Sequence, residues 1–466
     1  MKKSNGRHSA DKTRNSYPEK DFVAAMAGHL IKNNNIDNSL YGKYDVKRGL
    51  RNANGTGVVV GLTKVGEVVG YTINENNEKV PAEGKLYYRG IDVNNLVENV
   101  TKENRFGYEE ASYLLLFGEL PTQKQLDAYC ATLAARRELP PGFARDMILV
   151  APSRNVMNKL ARSVLALYSY DEDPDNLSIP NVLRQSIDLI GYFPSLIAYG
   201  FQAKRSHYHG ESLHLHYPDP EKSTAENILR MIRPTGEYSD IEAKSLDLSM
   251  ILHAEHGGGN NSSFVTHVVT STATDTYSAI AAAVGSLKGP RHGGANVEVI
   301  GMINDLKANV KDITDYKEVE KYLVKLLKGE TFDGSGLIYG LGHAVYTLSD
   351  PRAVLLKKMA KKLAEEQGLM DDFRLYDFIE EQGPKLYEKI KGVKKPMPAN
   401  VDLYSGFVYS ALNIPLDIAT AVFAASRISG WCAHRLEELV NGSKLVRPAY
   451  INVQSKQEYV PISERG

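Results

Sequence analysis

Five stretches of this chain place histidine, aspartate or arginine where they could do chemistry. In SDIEAKSLDLSMILHAEHGGGN, residues 239–260, Ser239 and Glu242 form a capping box that opens a helix, and Gly257-Gly258-Gly259 end it. His253 and His256 are three apart, which predicts one face at the helix C-terminus. The dipole favours histidine there for structural reasons alone, but the adjacent glycines let a ligand approach the backbone. In GPRHGGAN, His292 precedes a second helix, whose positive end disfavours an imidazolium. A neutral imidazole at such a place can donate to a carbonyl oxygen that becomes an enolate. In GLGHAVYTLSDPRAVLL, Gly340 and Gly342 lead to His343. Asp350 and Pro351 read there as N-cap and first helical residue. Arg352 then falls in the first turn, where the dipole disfavours a cation; this hints at a bound anion, against the solvated arginine that is the usual reading. Asp402, in NVDLYSG, opens a further helix, either as an N-cap or as a rigidly held base. Arg427 lies in the most apolar part of residues 417–440, with no Asp or Glu between Asp417 and Glu437. A carboxylate ligand, or an acidic residue from elsewhere, must face it, and the ligand is preferred.

The elements that position these residues are mostly helices. Phe22, Met26 and Leu30 recur at helical spacing from Asp21 onward, residues 33–55 read as a linker, and nearly everything after residue 105 is helical. Short strands are predicted at Gly57–Val60 and Lys85–Tyr88, with Asn74, Asn76 and Asn77 as turn residues. The class is mainly α with a small β element near residues 57–90. The 466 residues carry 56 basic and 56 acidic side chains, which argues against a globally basic nucleic-acid or membrane binder. Cys130 and Cys432 are the only cysteines, so there is no disulfide framework, and a reducing cytoplasmic setting is expected. Residues 1–22 lack the apolar core of a secretory signal and read as a solvated tail. No apolar run reaches the ~18 residues of a membrane span. His207, His209, His214 and His216 could ligate zinc, but Pro218 and Pro220 follow and a solvated loop is the preferred reading.

Taken together, HAEHGGGNNSSF, GPRHGGAN, GLGHAVY with SDPRA, and NVDLYSG with SRISGW resemble citrate synthase of the si type. GKLYYRGIDV, EEASYLLLFGELPT and YPDPEKSTAENIL are similar to its bacterial branch, and the likeness runs from about residue 55 to 450. The resemblance implies a citrate synthase-like helical homodimer with two domains. Residues 1–50 would be an extension, 51–290 and 408–466 the large domain, and 291–407 the small one. It implies an acyltransferase that condenses acetyl-CoA with oxaloacetate to give citrate and CoA. By position, Asp402 would be the base, His292 would bind the thioester oxygen, and His343 would polarise the oxaloacetate carbonyl. His256, Arg352, Arg427 and Arg447 would bind oxaloacetate, with Arg447 supplied by the partner subunit. Leu337, Ile338, Gly340, Leu341 and Gly342, with Asn400, would line the CoA site. No cofactor and no metal are implied, since acetyl-CoA is a substrate; neither nucleic acid nor membrane is an expected partner. 2-Methylcitrate synthase, acting on propionyl-CoA, would use the same residues. A zinc hydrolase and a non-catalytic CoA-binding paralogue rank below it. Gly257 replaces the acidic residue of many bacterial members, and PMPANVD is one residue longer than in animal members. No lysine of the 391–395 stretch is therefore assigned to CoA phosphate.

Overall fold

The computed structural model describes residues 19–442 and 444–465. The tail expected over residues 1–22 lies outside them up to residue 18. The chain divides into two compact units, one ending at Val60 and the other running from Gly61.

In the first unit, the Glu19–Asn34 helix appears where its periodicity predicts it. The stretch read as a linker contains a short helix, Ser39–Lys43, and a 3-10 turn, Arg48–Leu50. Gly57–Val60 is not a strand: one bridge joins Gly57 to Arg51, and Val59 is 87% exposed. Three valines in a row satisfy strand propensity, but without a paired strand and a face to bury they do not form one.

The second unit opens with an antiparallel sheet, β1 (Gly66–Ile73), β2 (Lys79–Tyr88) and β3 (Ile91–Asp92), in that order. The asparagines form its first turn. Asn74 Oδ1 accepts from the backbone N–H groups of Asn76 and Glu78, and Asn77 takes the left-handed φ of 61° that asparagine tolerates. The sheet holds a loop of the site. Thr347 Oγ1 donates to Gly70 O and accepts from the Ala82 N–H at 3.0 Å, while Ser349 Oγ accepts from the Gly84 N–H at 3.1 Å. A Cβ on Gly70 would lie 2.6 Å from Tyr346 Cα, and one on Gly84 would lie 2.1 Å from Ser349 O. Only glycine permits this backbone-to-backbone seating.

From Val93 onward the unit is helical, as expected. The 31-residue helix Ile179–His209 and the helix Leu416–Val440 run through the core, contributing Val182, Phe193, Leu196, Ile428 and the fully buried Trp431. Both cysteines are free thiols, with Cys432 buried. The histidine-rich stretch is only partly a loop: His207 and His209 close the Ile179–His209 helix. His216 Nε2 lies 3.0 Å from Pro234 O. Among the described residues no group of three or more His, Cys, Asp or Glu side chains could hold a metal ion, and no single helix is long and apolar enough to cross a membrane.

Candidate active site

The helix Asp240–His253 starts at the expected capping box, in which the Ser239 N–H donates to Glu242 at 2.8 Å. It stops at His253, before His256. The Tyr88 hydroxyl donates to Ile251 O at 2.8 Å and accepts from the Glu255 N–H at 3.3 Å, drawing the chain out of the helix. Gly257, at φ 80°, makes the turn that follows. His253 and His256 therefore do not share a helix face. His253 contacts the Tyr409 hydroxyl at 3.4 Å and packs against Phe423 with the rings tilted by 47°, a structural role. His256 instead sits with its ring centre 5.4 Å from that of His343 and 5.6 Å from that of Tyr346.

The loop seated on the sheet fixes His343. Its Nδ1 accepts from the N–H groups of Val345 and Tyr346, both at 3.0 Å. A neutral ring so held carries its proton on Nε2, as a donor. Asp350 is the N-cap expected for the helix Pro351–Gln367 and has two further tasks. It accepts from Arg352 Nε and Nη2 at 3.0 and 2.8 Å, and from the Val401 N–H at 3.1 Å. Arg352 is thus a buried, internally paired arginine whose Nη1 makes no hydrogen bond among the described residues. The anion that answers the first-turn position of Arg352 is therefore its own N-cap, and that one carboxylate ties Arg352 to the first turn of the Val401–Ala411 helix.

That helix carries Asp402. Its N-cap is Asn400, whose Oδ1 accepts from the Asp402 N–H at 3.0 Å, so capping does not account for Asp402. Desolvation raises the Asp402 carboxyl to about 6, opposed by Arg352 and Arg427 and assisted by Asp350. Arg427 Nε donates to His253 O at 2.6 Å, and its buried Nη1 has no partner. Burial lowers it to about 10, and Glu255 is the strongest opposing charge. The acidic residue from elsewhere in the fold is therefore the one the structure shows: Glu255 opposes the burial of Arg427, where a ligand was the preferred reading, and the buried Nη1 is left without a partner.

His292 sits in the turn before Gly294 and the helix Ala295–Asn309. Its Nε2 lies 3.3 Å from the Ser262 N–H, which can only donate, and 3.0 Å from Ser262 Oγ, which the indole of Trp431 also reaches at 3.0 Å. The neutral ring therefore presents Nδ1–H. The His292 pKa is lowered to about 4, first by burial and then by Arg427. The Ser262 N–H donating to Nε2 fits the expected neutral ring, and desolvation and Arg427, not the helix end, account for it.

The proposed CoA segment forms one backbone cluster. Gly342 N–H donates to Pro398 O at 2.7 Å, and Leu341 bridges Ala399. Asn400 donates from its backbone to Gly340 O and from its side chain to Gly342 O, both at 2.9 Å. Leu337 is half exposed, whereas the Ile338 side chain is buried in the core. Arg447 is not brought to the other residues. It lies exposed in the extended segment after the Leu416–Val440 helix, where the adjacent Val446 N–H donates to Ser271 Oγ at 3.1 Å.

The groups suited to proton chemistry, His292, His343 and Asp402, are partly accessible, while His256, Arg352 and Arg427 are buried. His256 Nε2, Arg427 Nη1 and the Tyr346 hydroxyl are buried without hydrogen-bond partners. These three are set apart from other unpartnered buried atoms by their grouping, since the Tyr346 ring lies 5.6 Å from that of His256, 4.8 Å from that of His343 and 5.5 Å from the Arg352 guanidinium. Such a site defines a class: enzymes that seat a carboxylate on arginines and move protons beside it with neutral imidazoles and one carboxylate. The chain belongs to the citrate synthase family. Residues 53–449 match the family described as citrate synthase, C-terminal domain. The chain is 32% identical over 428 residues to a citrate synthase of Haloferax volcanii, covering 90% of this chain and 99% of that protein. It is equally 32% identical over 426 residues to 2-methylcitrate synthase 1 of Corynebacterium glutamicum, covering 90% and 98%. Its fold matches the ternary complex of carboxymethyl coenzyme A and oxaloacetate with citrate synthase from Thermoplasma acidophilum. The TM-score is 0.72 at 26% identity, over 90% of this chain and 99% of that one.

Proposed function

We propose that the chain condenses acetyl-CoA with oxaloacetate and water to give citrate and CoA. The observation that carries this is a set of complementary proton states around one arginine: the Asp402 carboxyl, raised to about 6, and the His292 ring both feel Arg427, and the tautomers of His292 and His343 present N–H donors. Oxaloacetate sits on Arg352, Arg427 and His256, and His343 Nε2–H polarises its ketone. Asp402 takes a proton from the acetyl methyl group. That carbon acid is far too weak for a carboxylate alone, so His292 Nδ1–H stabilises the oxygen of the forming enol. The enol carbon attacks the polarised ketone, the new alkoxide takes the His343 proton, and water cleaves the citryl thioester. No step calls for a metal or a redox group. Residues 291–407, carrying His292 and His343 and ending just beyond Asp402, form in this reading the lobe that closes over the substrates and excludes water.

The experiment is thiol release with oxaloacetate and either acetyl-CoA or propionyl-CoA. Release with acetyl-CoA at the higher kcat/KM is expected, and it should survive EDTA. The 2-methylcitrate synthase relative makes propionyl-CoA the second reading, since one methylene is worth only ~1–3 kcal/mol in a pocket. A preference for propionyl-CoA would establish that reading, and no CoA release with either would sink both.

We propose further that two copies form the active unit. The extended segment leaves Tyr450, 94% exposed, and Ile451, Val453 and Ile462 without cover within the chain, and a second copy supplies it. Arg447, on the same segment, then reaches the partner's substrate. Mixing Asp402→Asn subunits with Arg447→Ala subunits tests this, because each mixed dimer regains one intact site. About a quarter of wild-type activity is expected from random pairing. No recovery, with mixed dimers present, would place Arg447 outside the partner's site.

A further inference from the structure

Behind the substrate arginines runs a line of four titratable side chains that the mechanism does not use. Glu438 Oε2 is 2.8 Å from His267 Nδ1, His267 Nε2 is 3.2 Å from His434 Nδ1, and His434 Nε2 is 3.0 Å from Glu255 Oε1. The line begins near the surface, where the Glu438 side chain is 23% exposed, and ends at His434 and Glu255, whose side chains are fully buried. Its three contacts are each of hydrogen-bond length and each needs a proton. Two neutral imidazoles bring one N–H apiece and two carboxylates bring none. With both histidines neutral and both glutamates ionised, one contact would set lone pair against lone pair. The line therefore holds one proton more than its neutral histidines carry.

The inner end matters to the substrate. Arg427 Nε donates at 2.6 Å to the carbonyl of His253, two residues before Glu255, and Glu255 is the strongest charge acting against its desolvation, so the proton content of the line bears on how much of that cation is left for an incoming carboxylate. Two other groups face the line, and the Glu437 oxygen nearest to it, Oε2, is buried without a hydrogen-bond partner. Glu437 lies 4.0 Å from His434 Nδ1, is 3.9 Å from Arg89, and accepts from the Lys64 N–H at 2.7 Å. The Tyr88 hydroxyl contacts only the backbone of Glu255.

We infer that Glu438, His267, His434 and Glu255 form a proton-sharing array that tunes oxaloacetate binding through Arg427, with Glu438 and His267 as positioning residues remote from the reacting atoms. The inference rests on the proposed function for its substrate. When the extra proton is present, the Glu255 charge is partly cancelled by imidazolium and Arg427 attracts the substrate carboxylate fully. When pH rises and the proton leaves, the array gains negative charge beside Arg427 and binding weakens. Removing the Glu438 charge makes the extra proton less stable, so the loss must come at lower pH.

The test is Glu438→Gln, with Glu438→Asp as the conservative control, assayed from pH 5.5 to 9. The rise of oxaloacetate KM with pH should move to lower pH by about half a unit or more in Glu438→Gln, with kcat within about twofold of wild type. Glu438→Asp should restore the wild-type profile. An unchanged KM profile in Glu438→Gln, or a fall in kcat of the same size, would overturn the inference. A second measurement needs no turnover. In the 15N-labelled wild-type protein, with His434→Gln and His267→Gln for assignment, one of the two histidines should show imidazolium nitrogen shifts at pH 7. Both rings neutral, with no carboxylic acid proton on either glutamate, would refute the array even in an active enzyme. Absent CoA release would refute the functional reading and leave this titration to be judged alone.

Discussion

Replacing Asp402 by Asn should lower kcat by at least ~10²-fold while leaving oxaloacetate binding intact. The amide keeps the shape of the side chain and its place in the first turn, but it cannot accept the methyl proton. In the wild type, kcat should fall as pH drops through about 6, where the desolvated carboxyl becomes protonated. The variant's residual rate should lack that limb. Stability supplies an independent check with the opposite sign. A carboxyl whose folded pKa lies above its unfolded value binds protons preferentially in the fold, so its contribution declines as pH rises between about 4 and 6. Asp402→Asn should thus match wild type in acid and exceed it at neutral pH by ~1–3 kcal/mol, allowing for the access of water to the cleft. Denaturant melts at pH 4 and pH 7 measure this. Near-normal turnover in the variant would remove Asp402 from the mechanism.

Arg427→Leu should act at the other end of the same chemistry. It removes the guanidinium whose Nη1 is buried and unpartnered, and oxaloacetate KM should rise by about 10²-fold, as expected for a lost charge-assisted pair. It should also move the acid limb of kcat upward. Arg427 holds down both the Asp402 carboxyl and the His292 imidazole, and without it each protonates at higher pH. Arg427→Lys, which keeps the charge but not the fork, should retain the limb while still losing affinity. Unchanged oxaloacetate saturation in Arg427→Leu would refute its role as a substrate ligand.

What the sequence shows of this site depends on how far apart the partners lie. The capping box at Ser239, the Asp350-Pro351 helix start and the anomalous placement of Arg352 and Arg427 are local, and all are legible from spacing. The tautomer of His292 is not, because it is set by Ser262, 30 residues away, with Trp431 behind it. The early end of the Asp240–His253 helix is set by Tyr88, 163 residues from Ile251. The bond between His434 and Glu255 spans 179 residues. Strand β1 was hidden for a different reason. Gly66, Gly70 and a register shift near Val69 break the alternation that betrays a strand, whereas Val58–Val60 imitate one without a partner. The pattern at 253–256 also misled, since i and i+3 share a face only if the helix lasts, and a tyrosine from the sheet ends it.

The glycines at 70 and 84 give the small sheet a significance beyond its size. It seats the His343 loop on its own main chain, which takes the Thr347 and Ser349 hydroxyls, and Glu83 is the hairpin side chain that also holds Ser349, so the other side chains on the hairpin contribute little to that placement and can vary. At those two positions the constraint is reversed, because a single methyl group would have to displace Tyr346 Cα or Ser349 O. The position of a proton donor is thus encoded by two hydrogen atoms standing where every other residue would place carbon. An inventory of reactive groups would pass over both.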